Sequence, residues 1–112
     1  MVIAERMLHC RRVADVVDVP IRIHAPEMES PKAFKCAYEI HWPDGPYTND
    51  AWGADAVQAL DLCLKSIAWR LYCSDAHRDG TLFWTGQGEG YGVPMAKSGR
   101  DLLMGQDKEF DA

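Results

Sequence analysis

The chain offers three sets of residues whose chemistry could be used: four histidines (His9, His24, His41, His77), four cysteines (Cys10, Cys36, Cys63, Cys73) and a glycine-rich run, Thr85-Gly86-Gln87-Gly88-Glu89-Gly90-Tyr91-Gly92-Val93-Pro94. A phosphate-cradling glycine loop works by aiming backbone N–H groups and a helix N-terminus at the anion, with a Lys or hydroxyl close by. Here Tyr91 interrupts the G-x-G-x-x-G spacing, Glu89 puts negative charge at the centre, and Val93-Pro94 follow where a helix should start. The run therefore reads as a hairpin or lip whose glycines serve conformation.

The histidines need elements to bring them together. If the alternating segments 19–25 and 34–42 pair through the connector 26–33, His24 faces a residue near Lys35. His41 then stands about six residues, about 20 Å, further along. Two such residues cannot share an ion bound at about 2 Å. His24 is expected to meet Glu5 across the first strand pair instead. No H-E-x-x-H, histidine triplet or Cys–His cluster is present, so no metal site and no cofactor is expected. Nucleophilic catalysis has no G-x-S-x-G elbow to start from, no catalytic residue is assigned, and the reading leans away from an enzyme. Cys36 and Cys63 fall on apolar faces and read as small core residues. Cys10 and Cys73 lie at element ends and read as exposed.

The elements follow from periodicity. Val19, Ile21, Ile23 and Ala25 alternate with polar neighbours, as do Phe34, Cys36, Tyr38, Ile40 and Trp42; both are half-buried strands. Val2 to Cys10 reads as a further strand, and Pro43-Asp44-Gly45-Pro46 as a turn. From Ala54 to Cys73, Val57, Leu60, Leu64, Ile67, Ala68 and Leu71 recur at helical spacing, with Ala56 and Cys63 widening the stripe. Thr81 to Thr85 gives a short last strand. The expected fold is α+β: an antiparallel β-meander of three to five strands with one long helix across one face. Residues 1–112 form a single domain, whose polar, glycine-broken stretch from about 96 reads as a mobile tail with one helical turn at 101–104.

Composition narrows the function classes. The formal charge of −5, from 17 acidic against 12 basic residues, removes the positive field behind most nucleic-acid affinity. The pairs Arg11-Arg12 and Lys97-Arg100 are diluted by Asp15 and Asp101. The start of the chain meets Glu5 and Arg6 within six residues, unlike a signal peptide, and no stretch is apolar enough to span a bilayer. A cytoplasmic protein with reduced thiols and no membrane partner is expected.

At about 100° per residue, Leu62 and Trp69 project away from the apolar side of the helix, two turns apart on one line, with Tyr72 at the border. These three are the candidate partner-binding residues, for a homodimer or for an unidentified protein. The alternative is a small-molecule or enzyme pocket near the Gly86–Gly92 run, lined by Trp52, Trp84 and Tyr91.

With "GADAVQALDLCLKSIAWRL" followed by "LFWTG" and "YGVP", the chain resembles a family of small bacterial domains of unknown function, in which a Gly, Asp and "QAL" helix start follows three strands. More loosely, Tyr38, Pro43-Asp44-Gly45, Gly53 and Ala56 to Ala59 resemble the outline of HicB-type antitoxins. The first resemblance implies a structural signature without an activity. Together they imply an interaction module of antitoxin, immunity or adaptor type, whose acidity suits a basic partner.

Overall fold

The computed structural model describes residues 1–86 and 88–95; the tail from 96 and the helical turn expected at 101–104 lie outside them. In chain order the elements are β1 (Val2–Arg11), β2 (Val16–His24), β3 (Glu27–Ser30), β4 (Ala33–Trp42), β5 (Gly45–Gly53), α1 (Ala56–Tyr72), α2 (Asp75–Arg78) and β6 (Leu82–Phe83). All six strands form one antiparallel sheet, one strand more than the upper expectation. β1, β2, β4 and β5 run as a meander, and β6 returns to the far side of β1.

The two elements that periodicity missed have physical causes. β5 ("GPYTNDAWG") holds Gly, Pro, Asn and Asp, residues depleted in strands, yet it pairs with β4 along its whole length, from Trp42–Gly45 to Phe34–Gly53. The two-residue Pro43-Asp44 turn fixes that register. β3 is the stretch read as a connector: after the break at Ala25-Pro26 it pairs with the start of β4, Glu27 facing Lys35. That insertion moves β2 along β4, so that Ile23 faces Tyr38 and Arg22 faces Glu39. His24 therefore stands beside Ala37 and not Lys35, two residues from the expected register.

One face of the sheet carries Leu8, Cys10, Val19, Ile21, Ile23, Cys36, Tyr38 and Ile40, all buried. α1 lies over the β4–β5 half of this face, and the segment from Gly90 to Met95 contributes Tyr91, Val93 and Met95 to the same core. Cys10 is thus a core residue, contrary to expectation, because β6 covers the end of β1. Cys73 is exposed as expected.

The helix start explains the Gly-Asp-Gln-Ala-Leu signature. Asp55 is the N-cap, its carboxylate accepting from Gln58 N–H at 2.8 Å, while the Gln58 side chain accepts from Ala54 N–H at 2.6 Å. The pair is a variant of the capping box, with the Gln in the third position reaching one residue past the cap to the preceding N–H. A Cβ at Gly53 would come within 2.8 Å of the Gln58 carbonyl carbon and closer still to Ala59 N. Only glycine lets the first turn of the helix settle this close to the end of β5.

The close approach also rotates the buried stripe. Ala59, Cys63, Ile67, Ala68 and Leu71 are fully buried, whereas Leu60 and Leu64 are half-buried on the flank and Val57 is 78% exposed. Small residues occupy the closest contact because a leucine there would hold the helix off the sheet. Farther along, the Tyr38 hydroxyl, reaching up from β4, bonds the Ser66 hydroxyl at 2.7 Å.

Two variants test this packing. Gly53→Ala is expected to lower the melting temperature clearly, although alanine is the better helix and strand residue, because the added methyl meets backbone. Leu71→Ala should cost about 2–5 kcal/mol in urea unfolding, and Leu60→Ala distinctly less; equal losses would contradict the helix phase.

Candidate functional site

Three assemblies stand out on this frame. The first is a groove beside the C-terminal half of α1. Leu62 and Trp69 are 39% and 37% exposed, two turns apart on the outward line of the helix. With Lys65, Ser66, Arg70 and Cys73 they line a shallow cleft of about 500 Å³. A second cleft, of about 460 Å³, continues from Arg70 and Cys73 past Ser74, Asp75 and Ala76 to Trp42, Pro43, Asp44 and Tyr47. The two adjoin at Arg70 and Cys73, one running along the helix and the other across the end of the β4–β5 hairpin. Arg70 places its guanidinium 4.5 Å from the centre of the Tyr47 ring, a stacked cation–π contact. Lys65 pairs with Asp61 at 2.9 Å along the helix surface.

Tyr72, expected at the rim of this surface, belongs elsewhere. It is buried, its ring 4.9 Å from His77 and 5.1 Å from Tyr91. Its position on the helix faces the half of the sheet that α1 leaves uncovered, and the returning chain fills that space.

The second assembly answers what the glycine-rich run does. Gly88, Gly90 and Gly92 all have positive φ, between 71° and 86°. At Gly92 a Cβ would fall 2.5 Å from Arg6 Nη1 and closer still to the Trp84 ring. Arg6 lies 3.9 Å from the centre of the Trp84 ring and donates to the Tyr91 and Gly92 carbonyls at 2.9 and 2.7 Å. Tyr91, only 1% exposed, bonds His77 Nδ1 through its hydroxyl. The alternating glycines thus wrap the chain around Trp84 and press Tyr91 into the core. Trp84 and Tyr91 are brought together, but Trp52 is not with them. It lies on β5 opposite Lys35 of β4, at the other edge of the sheet, half exposed. The three residues of the alternative pocket do not line one cavity.

The third assembly sits on the outer face of the sheet, where β2 and β4 share only the pairs Ile21–Ile40, Arg22–Glu39 and Ile23–Tyr38. Glu39 accepts from both sides along this seam. His41 donates from Nε2 to Oε1 at 2.6 Å, and His24 from Nε2 to Oε2. Hydrogen bonds from His24 and then His41 hold the Glu39 carboxyl below its usual range. Glu5, expected to meet His24, is instead bound by Arg22 at 2.7 Å. The two-residue shift of register brings His24 to the carboxylate that His41, two residues along β4, also meets, each on its own oxygen. Among the described residues no group of three or more His, Cys, Asp or Glu could hold a metal ion.

The cysteines divide as their burial dictates. Cys36 and Cys63 meet between β4 and α1, and burial pushes both thiols up, Cys63 furthest, so they stay protonated and inert. Cys36 Sγ–H also donates to the His24 carbonyl at 3.4 Å.

The fold and its surfaces define a two-layer α+β domain with one capped helix on an antiparallel sheet and no helix, among the described residues, long and apolar enough to cross a membrane. Residues 4–95 match the model of a domain of unknown function, DUF6968, and the chain belongs to that family. No curated protein and no solved structure matches it.

Two pH dependences follow. Because Glu39 is held below its ordinary value of 4.5, its contribution is present above that pH and is lost as pH falls through its folded-state pKa. The gap in urea midpoint between the native protein and Glu39→Gln should therefore narrow below pH 4.5; a constant gap would refute the seam. Burial lowers His77 from 6.5, so its share of stability is present above that value and is lost on acidification through the lowered pKa. His77→Phe, which keeps the ring contacts and cannot titrate, should be less stable at pH 7 and approach the native protein as pH falls below 6.5.

Proposed function

We propose that the protein is a non-enzymatic interaction module that binds through the outward face of α1, as a homodimer or on a partner protein. The observation that carries this is the exposed pair Leu62 and Trp69 above a groove walled by Tyr47 and Trp42. An indole and a leucine on one line of a helix, beside a concavity that continues their apolar surface, form the kind of patch that association covers. Tryptophan anchors of this sort commonly contribute about 2 kcal/mol or more to an interface.

The finer form of the reading is an antitoxin, immunity or adaptor role in a bacterial cytoplasm. Its support is the outline of Tyr38, the Pro43-Asp44-Gly45 turn, Gly53 and the capped helix, which resembles HicB-type antitoxins. The acidic balance of the chain favours a basic partner.

The test is the double variant Leu62→Ser/Trp69→Ser. The native protein is expected to sediment as a dimer or to retain a host protein in a pull-down, and the variant to lose that association at an unchanged melting temperature. If the variant keeps its mass and its captured protein, the proposal falls. An unchanged mass with a much earlier melt would assign the surface to residues 96–112 of the same chain.

A further inference from the structure

Resting on the interaction reading above, we propose that the end of the groove between Trp42, Asp44 and Asp75 accepts a cationic side chain, arginine or lysine, from a basic segment of the partner. The groove already contains one guanidinium: Arg70 lies on Tyr47, one of its two aromatic walls. Trp42, the other wall, carries no stacked cation among the described residues. Tryptophan is the better of the two rings for a cation.

The charges around this wall are arranged to match. Asp44 sits in the tight turn of the β4–β5 hairpin, exposed and without an ion-pair partner among the described residues. Asp75, at the start of α2, lines the same cleft and among the described residues forms one ion pair, with the exposed Arg78. Arg70, the one basic residue lining this cleft among the described residues, is drawn onto Tyr47. A guest cation would thus meet an indole face and two carboxylates, while its aliphatic neighbours in an extended segment would run on toward Trp69 and Leu62. A planar guanidinium suits this site better than an ammonium because it stacks and bonds a carboxylate at once. An acidic protein whose recognition groove ends in two carboxylates selects basic chains by attraction and rejects acidic ones by repulsion.

The probe is a peptide of alternating leucine and arginine, titrated into the isotope-labelled full chain and followed by amide and indole chemical shifts. The expected result is that shifts cluster on Trp42, Tyr47, Arg70, Cys73 and Trp69, and that Asp44→Asn/Asp75→Asn weakens binding at least tenfold. Glu27→Gln/Glu29→Gln, which removes two carboxylates at the other end of the sheet, should leave binding unchanged. Asparagine keeps the turn chemistry at 44 and the side-chain size at 75, where Ser74 is the cap, and matched melting curves confirm that each variant is folded.

Equal losses in the two double variants, or shifts spread over the outer sheet face, would overturn the proposal in favour of diffuse attraction. Equal binding of a leucine–glutamate peptide in the same groove would overturn the cation preference and leave the interaction surface standing. If neither peptide binds and the native protein dimerises through Leu62 and Trp69, the cation site falls and the surface is a self-interface. If Leu62→Ser/Trp69→Ser leaves peptide binding and mass unchanged, the interaction reading fails with it.

Discussion

The contact on which the rest of the structure depends is the seating of α1 against the end of β5 at Gly53. A side chain there would collide with the backbone of Gln58 and Ala59, so the helix lies close to the sheet only because Gly53 has none. That proximity places Ala59, Cys63 and Ala68 at the interface and turns Leu60 and Leu64 to its flanks. It also sets the phase that leaves Leu62 and Trp69 facing out. The groove is thus a consequence of the packing: the same rotation that buries small residues exposes large ones on the opposite side.

One helix cannot cover a sheet this wide. The part of the inner face over β1 and β2 is closed by the chain itself, which leaves β6 and doubles back through positive-φ glycines to deliver Tyr91, Val93 and Met95. Arg6 anchors this return by bonding two of its carbonyls and stacking on Trp84. Backbone carbonyls brought over a core need donors, and a long cationic side chain from β1 supplies them while its stem adds apolar cover. The glycine-rich run is therefore part of the core wall, and its resemblance to a ligand loop is compositional.

The outer face of the sheet is polar, yet it is ordered by a few charge-assisted bonds. Arg22–Glu5 ties β2 to β1, and His24–Glu39, with His41 alongside, ties β2 to β4. At a seam of three residue pairs, such cross-strand bonds add to a short ladder. The outermost strand beyond it, β5, is poorly suited to pairing with a further strand: Pro46 has no N–H, and the Asp50 N–H is taken by the Asn49 side chain at 2.8 Å.

What the sequence determined by itself is local: the alternation that makes β2 and β4, the Pro-Asp turn, one long helix expected over 54–73 and found over 56–72, and the outward phase of Leu62 and Trp69. Each is a property of period or of a single residue's backbone preference, so it survives without knowledge of neighbours. β5 was not legible, because its residues are poor strand formers held in place by pairing with β4. The register of β2 was not legible either, since a four-residue strand inside an apparent connector shifted it by two and thereby joined His24 and His41 through Glu39. Tyr72, Trp52 and Tyr91 show the same limit from the site's side: their type and exposure on one element were readable, but whether the returning chain covers them is not. Only the tertiary structure decided those positions, because burial and convergence depend on distances between elements, and those distances were set by one glycine, one inserted strand and one wrapped loop.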